Sequence, residues 1–439
     1  MREARSCASN GTPLICVKDE GVRRRRSQDA LRVRRTGTHS LHAVLTSTGP
    51  ILMADNNVKE LTTSDAPVKA RGLEGVVALE SALSSIDGQK GELIYRGYNI
   101  NDLAEEASFE EVVHLLWNGT LPTQDEFETL RSELQSERAL PAPVMDILRN
   151  VPDDAHPMAV LRTAVSSLAL YDEEADTMEP DANRRKAVRI LAQIPTVIAA
   201  FDRLRKGKTP VSPLDHESMA HNFLYMLNGE KPGKAAADIF DICLVLHADH
   251  GLNASTFTSR VIGSTLSDMY SAVAGATGAL KGKLHGGANR EVMRMLLDID
   301  EKGADPAAYL RERLEAGEKV MGFGHRVYKT MDPRAAILRD MVEELSEEEG
   351  EMKWYEYSMA VMDTMKQETG IDPNVDFFSA STYYQLGLDP DLFTPIFVLS
   401  RTAGWTAHLI EQWADNRLIR PRAQYVGDRD RTFVPIEGR

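Results

Sequence analysis

A mainly α-helical fold, with a short β hairpin near the N-terminus and a smaller helical domain inserted into a larger one, is the architecture this sequence predicts. Three observations carry that prediction. Apolar residues recur at helical rather than alternating spacing over most of the 439 residues. No strand–helix–strand alternation interrupts them, which disfavours a doubly wound nucleotide fold. Their texture loosens into glycine-rich turns from Gly282 to about Pro390, after which the buried-helix pattern returns.

Taken in order, GLEGVVALESALSSIDGQKGELIYRGYNI mixes β-branched residues with an Asp87-Gly88 turn and reads as a hairpin. NDLAEEASFEEVVHLLWNG then spaces Leu103, Phe109, Val112, Leu115 and Leu116 as a helix, with Asn101 as its cap and Gly119 and Pro122 closing it. The same period recurs in EFETLRSEL, VMDILRNV, MAVLRTAVSSLALY, RRKAVRILAQIPTVIAAFDRLRKG and AADIFDICLVLHADHG. SRVIGSTLSDMYSAVAGATGALKG reads as one long helix whose small residues permit close approach, at the centre of the fold or at a subunit contact. TPIFVLSRTAGWTAHLIEQW closes the series as a buried helix. The predicted boundaries are a large helical domain over residues 54–281 and 386–439 and a small domain over 282–385, with the acidic EELSEEEGE at 343–351 as a solvated face or loop.

The net charge of -15 is unevenly spread, because residues 1–53 hold ten Lys or Arg against four Asp or Glu and leave -21 for the rest. So acidic a body disfavours nucleic acid as a partner, and any anionic ligand needs a local cluster of Arg and Lys. No apolar run approaches the roughly 20 residues of a membrane span. Three cysteines, Cys7, Cys16 and Cys243, have neither metal spacing nor a disulfide framework, which fits a reducing, cytoplasmic setting. The head, with RRRR at 23–26 and RVRR at 32–35, partly fits a transit peptide and partly a basic nucleic-acid patch. The simpler expectation is a disordered leader over residues 1–53, or translation beginning at Met53.

Five of the eleven histidines follow residue 246: His247, His250, His285, His325 and His408. HADHGLNAST puts His247 and His250 three apart on a helix that Gly251 ends, a spacing open to zinc binding, substrate contact or a structural pair. In KGKLHGGANREV, His285 precedes a helix that Asn289 opens. The positive end of that helix lowers the imidazole pKa, and a neutral ring can donate a hydrogen bond to a developing enolate or simply fill a turn. MGFGHRVYKTMDPRA sets His325 among Arg326, Lys329 and Arg334 after two glycines, as an anion site or as a solvated basic turn. Asp376 in NVDFFSAS sits beside two phenylalanines, where poor hydration raises a carboxyl pKa and makes a base, unless it is only a helix cap. Arg401, inside an otherwise apolar helix, needs an anion, either a protein acid or a bound carboxylate, and RPRAQYVG adds Arg420 and Arg422.

LHADHGLNAST, LKGKLHGGAN, MGFGHRVYKTMDPR, NVDFFSAS, LSRTAGWTAH and RPRAQYVG together resemble, in order and spacing, the motifs of the citrate synthase family, and ELIYRGYNINDLAEEASFEEVVHLLWNGTLP resembles its N-terminal region. The resemblance implies a citrate-synthase-like fold of large and small helical domains. It implies a transferase that condenses acetyl-CoA with oxaloacetate and hydrolyses citryl-CoA in the tricarboxylic acid cycle, with no metal and no cofactor. Asp376 would remove a proton from the acetyl methyl group, His285 would hydrogen-bond the thioester oxygen, and His325 would polarise the oxaloacetate carbonyl. His250, Arg334 and Arg401 would grip carboxylates, with Arg420 reaching across a homodimer. Asn253 and Ser255 would line the pocket, and Lys329 and Arg326 would meet CoA phosphates. A 2-methylcitrate synthase using propionyl-CoA is the near alternative. A catalytically silent helical scaffold or acyl-CoA-binding protein, and a zinc hydrolase built on His247 and His250, are the alternatives from other classes.

Overall fold

Asp87 builds the first turn. Its Oδ1 accepts the backbone N–H groups of Gln89 and Lys90, the local bond by which an aspartate competes with continued strand. The turn joins β1 (Ser84–Asp87) to β2 (Glu92–Tyr95), and β3 (Tyr98–Asn99) completes an antiparallel sheet in the order β1-β2-β3, with Ser84 opposite Tyr95. The computed structural model describes residues 71–439, so the basic head lies outside the described residues. Ser81–Arg439 forms one compact unit, while Arg71–Glu80 belongs to another and holds a 3-10 turn at Arg71–Leu73.

Sixteen α-helices follow among the described residues. They are α1 (Ile100–Glu106), α2 (Phe109–Asn118), α3 (Gln124–Ser136), α4 (Ala142–Asn150), α5 (Pro157–Leu168), α6 (Pro180–Arg205), α7 (Met219–Asn228) and α8 (Lys234–His247), then α9 (Ala254–Gly263), α10 (Met269–Leu280), α11 (Ala288–Lys302), α12 (Pro306–Glu315), α13 (Pro333–Glu349), α14 (Lys353–Thr369), α15 (Val375–Gln385) and α16 (Phe393–Ala414). The predominance of helix and the small N-terminal sheet agree with the sequence. α16 is buried along most of its length and packs on α2, α6, α8, α9 and α10. α15 packs on α11, α13 and α14.

Two helices read as continuous are broken. Ser108 interrupts the first, because its hydroxyl and Glu111 form a reciprocal capping box that starts α2 afresh. The small-residue stretch divides into α9 and α10, with Leu266 in the left-handed region at φ 62° and Asp268 capping α10. Caps also move. Asn99, not Asn101, caps α1, and Gly287, not Asn289, precedes α11. α8 stops at His247, so His250 lies in the turn beyond it rather than on the same helix face. In each case a side chain or backbone group one to four residues away satisfied the helix end first, a competition that periodicity does not register.

Candidate active site

The turn after α8 is held from below by the hairpin. Tyr95 Oη donates to Asp249 O at 2.7 Å, and Ser84 Oγ donates to Asp249 Oδ2 at 2.6 Å, fixing residues 249–251 from more than 150 positions away. His247 is buried at the end of α8, its Nδ1 donating to Cys243 O at 2.8 Å, while Nε2 is sealed from water with no partner. Burial, then the charge of Arg334, lowers its pKa to about 3. His250 Nε2 lies 3.2 Å from Tyr328 Oη, and its ring stands edge-on to that of His325 with centroids 5.1 Å apart. Burial followed by Arg334 and His325 holds His250 well below the usual histidine range, so it is neutral. Among the described residues no group of three or more His, Cys, Asp or Glu is placed to hold a metal ion.

His285 is half-buried on the turn between α10 and α11. Its Nε2 accepts the Ser255 backbone N–H at 3.2 Å and lies 2.8 Å from Ser255 Oγ, which in turn receives Trp405 Nε1 at 3.3 Å. Ser255 stands in the first turn of α9, where Asn253 Oδ1 caps the helix. An imidazole nitrogen that accepts an amide proton carries none itself, so the ring proton of His285 resides on Nδ1. Burial and then Arg401 lower the pKa to about 4. The direction agrees with the sequence reading, but the helix amide that reaches the ring belongs to α9 rather than α11. Gly286 has its own reason for being glycine: a Cβ there would sit 2.5 Å from Leu280 O.

The same device recurs at His325. Nδ1 accepts the backbone N–H groups of Val327 and Tyr328 at 3.1 and 3.2 Å, which leaves the proton on Nε2. Burial, Arg334 and Lys329 lower its pKa, with Asp332 opposing. Two glycines at positive φ, Gly322 and Gly324, let this loop pair with residues 372–374: Gly324 N donates to Asp372 O and Asn374 N to Gly322 O, both at 2.9 Å. A Cβ on Gly322 would meet Val292 Cγ2 at 2.6 Å. The loop is also seated on the hairpin turn, where Lys329 N donates to Gly88 O at 2.8 Å.

Asn374 caps α15 by accepting the Asp376 N–H, so Asp376 is not the cap. Its Oδ1 is sealed from water and lacks a hydrogen-bond partner. Burial raises the pKa to about 6, against the opposing fields of Arg334 and Arg401. Arg334 is itself buried and doubly bonded to Asp332, through Nε at 3.0 Å and a terminal amine at 2.7 Å, and Asp332 also accepts Val375 N at 3.3 Å beside Asp376. Arg401 donates Nε to His247 O at 2.7 Å and lies over the Phe397 ring. Burial brings its pKa down to about 10, which still leaves it charged at neutral pH. Asp332 answers the charge of Arg334. Among the described residues no such bidentate acid faces Arg401.

Two buried cations therefore organise the site, for the field of Arg401 reaches His247, His250, His285 and Asp376, and that of Arg334 reaches His247, His250, His325 and Asp376. Asn253 and Ser255 join this group through His285. Arg326 and Lys329 stay exposed at its edge, and Arg420 is exposed on the segment after α16. Sequence reasoning missed Ser84, Tyr95, Asp249, Tyr328, Asp332 and Trp405. Of these, only Asp332 had a local signal, as the Asp-Pro that opens a helix.

The family profile for citrate synthase, C-terminal domain, matches residues 72–422. This chain belongs to the citrate synthase family. It is 54% identical over 373 residues to the citrate synthase of Haloferax volcanii, covering 84% of this chain and 98% of that protein. Citrate synthase 2 of Bacillus subtilis is also 54% identical, over 84% of this chain and 99% of its own length. Proteins named 2-methylcitrate synthase are among the relatives too. A solved citrate synthase from Thermoplasma acidophilum, in ternary complex with carboxymethyl coenzyme A and oxaloacetate, superposes with a TM-score of 0.78 at 36% identity, covering 83% of this chain and 98% of that one. Members of the citrate synthase family are transferases, and this chain is an enzyme of that acyltransferase type. No described helix is long and apolar enough to cross a membrane.

Proposed function

We propose that the chain condenses acetyl-CoA with oxaloacetate and hydrolyses the resulting citryl-CoA, and that Asp376, His285 and His325 carry the chemistry. One observation carries the assignment: two neutral histidines with their protons held on opposite free nitrogens share the field of two buried arginines with a partnerless carboxylate of pKa about 6. A thioester methyl group is a weak carbon acid. Removing its proton takes a desolvated base, Asp376, together with a donor to the oxygen on which charge accumulates, His285 Nδ1–H. His325 Nε2–H polarises the oxaloacetate carbonyl and protonates the alkoxide as the enol carbon attacks.

Oxaloacetate is a dicarboxylate, and His250, Arg334 and Arg401 are the buried donors suited to it. Arg420 completes that set from the partner chain of a homodimer, and the exposed Lys329 and Arg326 take the CoA phosphates. His325 and Asp376 fall within residues 282–385, His250 and Arg401 outside them, so a small domain closing on a large one would exclude water during condensation. No step requires a metal or a cofactor. The test is a thiol-release assay with oxaloacetate and either acetyl-CoA or propionyl-CoA. Release with acetyl-CoA is expected. A large preference for propionyl-CoA would make the enzyme a 2-methylcitrate synthase, and no release with either would overturn the assignment.

A further inference from the structure

Beneath the 248–251 turn runs a line of buried polar groups that this chemistry leaves unused. Arg260, on α9, donates one terminal amine to Glu411 Oε2 at 2.6 Å and to His408 Nδ1 at 3.1 Å, and its Nε donates to Gln412 Oε1 at 2.9 Å. A guanidinium only donates, so His408 Nδ1 must accept and the ring proton is placed on Nε2. That nitrogen lies 3.2 Å from Asp249 Oδ1, a close polar contact that is out of line for a hydrogen bond, and neither atom has a hydrogen-bond partner. The other Asp249 oxygen accepts Ser84 Oγ and, at 3.1 Å, Gly251 N. Asp249 and His408 are fully buried and Arg260 is 4% exposed.

α16 comes so close here that Gly404 N donates to Ala248 O at 3.1 Å, and a Cβ on Gly404 would sit 2.6 Å from Asp249 Oδ1. Buried polar chains of this kind add little net stability over an apolar core, but each member has a fixed orientation because every alternative strands a charge. Asp249 is the residue before His250. At its carboxylate the hairpin, the turn and α16 meet.

We propose that His408 is a positioning residue: by holding its Nε2 edge against the Asp249 carboxylate it sets the 248–251 turn, and through that turn the approach of His250 to oxaloacetate. This rests on the assignment of His250 to oxaloacetate made above. His408 itself is fully buried and lies against Asp249 rather than in the group of His250, His285 and His325. The side chain therefore governs binding of the dicarboxylate rather than the proton transfers at Asp376 and His285.

Two substitutions separate the donor from mere volume. His408→Gln keeps an amide N–H near the Nε2 position, whereas His408→Asn is too short to reach Asp249. In His408→Asn the KM and the calorimetric Kd for oxaloacetate are expected to rise about tenfold with kcat within about threefold of wild type, the loss of one polar contact to a charged group. His408→Gln is expected to restore both constants to within about threefold. Equal effects of the two variants, or unchanged oxaloacetate constants in His408→Asn, overturn the proposal. Should His408→Asn fail to fold, Ser84→Ala decides, because it removes the other side-chain bond to Asp249: a several-fold rise in Kd supports the anchor and an unchanged Kd refutes it. Oxaloacetate titrated into the wild-type protein is a separate check: absence of binding there would sink the functional assignment on which this one rests, whereas wild-type binding with unchanged constants in His408→Asn would sink this one alone.

Discussion

Asp376 has one oxygen sealed from water and no donor facing it, so ionising it in the folded chain costs more than ionising it in the unfolded one. With a folded pKa of about 6 against an ordinary 3.8, stability is full while both states are protonated, falls as pH rises from about 4 to 6, and stays reduced above that. Asp376→Asn is therefore expected to lower turnover by roughly 10²–10⁴-fold while raising Tm at pH 8. The gain, up to about 3 kcal/mol, should vanish near pH 4; a Tm gain independent of pH would mean the carboxylate is not strained. Oxaloacetate binding should persist in this variant. The same pKa sets the acid limb of the rate profile: kcat/KM should fall with unit slope below about pH 6, where the base is protonated, while His285, neutral above about pH 4, adds no limb there. A flat profile between pH 5 and 7 would remove Asp376 from the role of base.

Among the elements, the hairpin turn matters more than its few residues promise. Gly88 accepts Lys329 N through its carbonyl, and a Cβ on it would lie 2.1 Å from Val327 O, a backbone atom that cannot swing aside. Gly88→Ala should push the 325–329 loop off its seat and turn His325 away, lowering kcat/KM by about tenfold or more with only a few degrees lost in Tm. Steady-state kinetics beside a melting curve checks this, and a melt lowered without any kinetic change would place the strain elsewhere. The helices themselves were legible because burial repeats every three to four residues. Their breaks at Ser108 and Leu266 were not, since a cap or a left-handed residue acts through one local bond that leaves the apolar period intact.

At the scale of the molecule, Arg420 stands exposed after α16, while the other arginines assigned to oxaloacetate are buried. If it acts across a dimer, chains carrying Arg420→Ala and chains carrying Asp376→Asn, each nearly inactive alone, should regain activity when unfolded and refolded together. One site of each mixed dimer then has an intact Asp376 from one chain and an intact Arg420 from the other. No recovery, with mixed dimers present by native mass spectrometry, would place Arg420 in its own chain's site or outside any site. The acidic balance of the chain puts further weight on these cations, because nothing in its overall field draws a dicarboxylate inward.

What the sequence determined by itself was the helical class and the hairpin, and it singled out His250, His285, His325, Arg334, Asp376 and Arg401 as the candidates for chemistry. These are legible because residue type and near neighbours already restrict what such groups can do: a histidine beside glycines, an arginine in an apolar helix and an aspartate beside phenylalanines each need an explanation. Tertiary structure decided which nitrogen of each histidine holds the proton, which carboxylate lacks a partner, and what stands behind the site. Ser84 on Asp249, Ser255 on His285 and Arg260 on His408 are contacts between residues 30 to 165 positions apart. Local periodicity has no record of contacts at that range. They arise only when the helices pack and each buried polar group must find the partner whose absence would cost most.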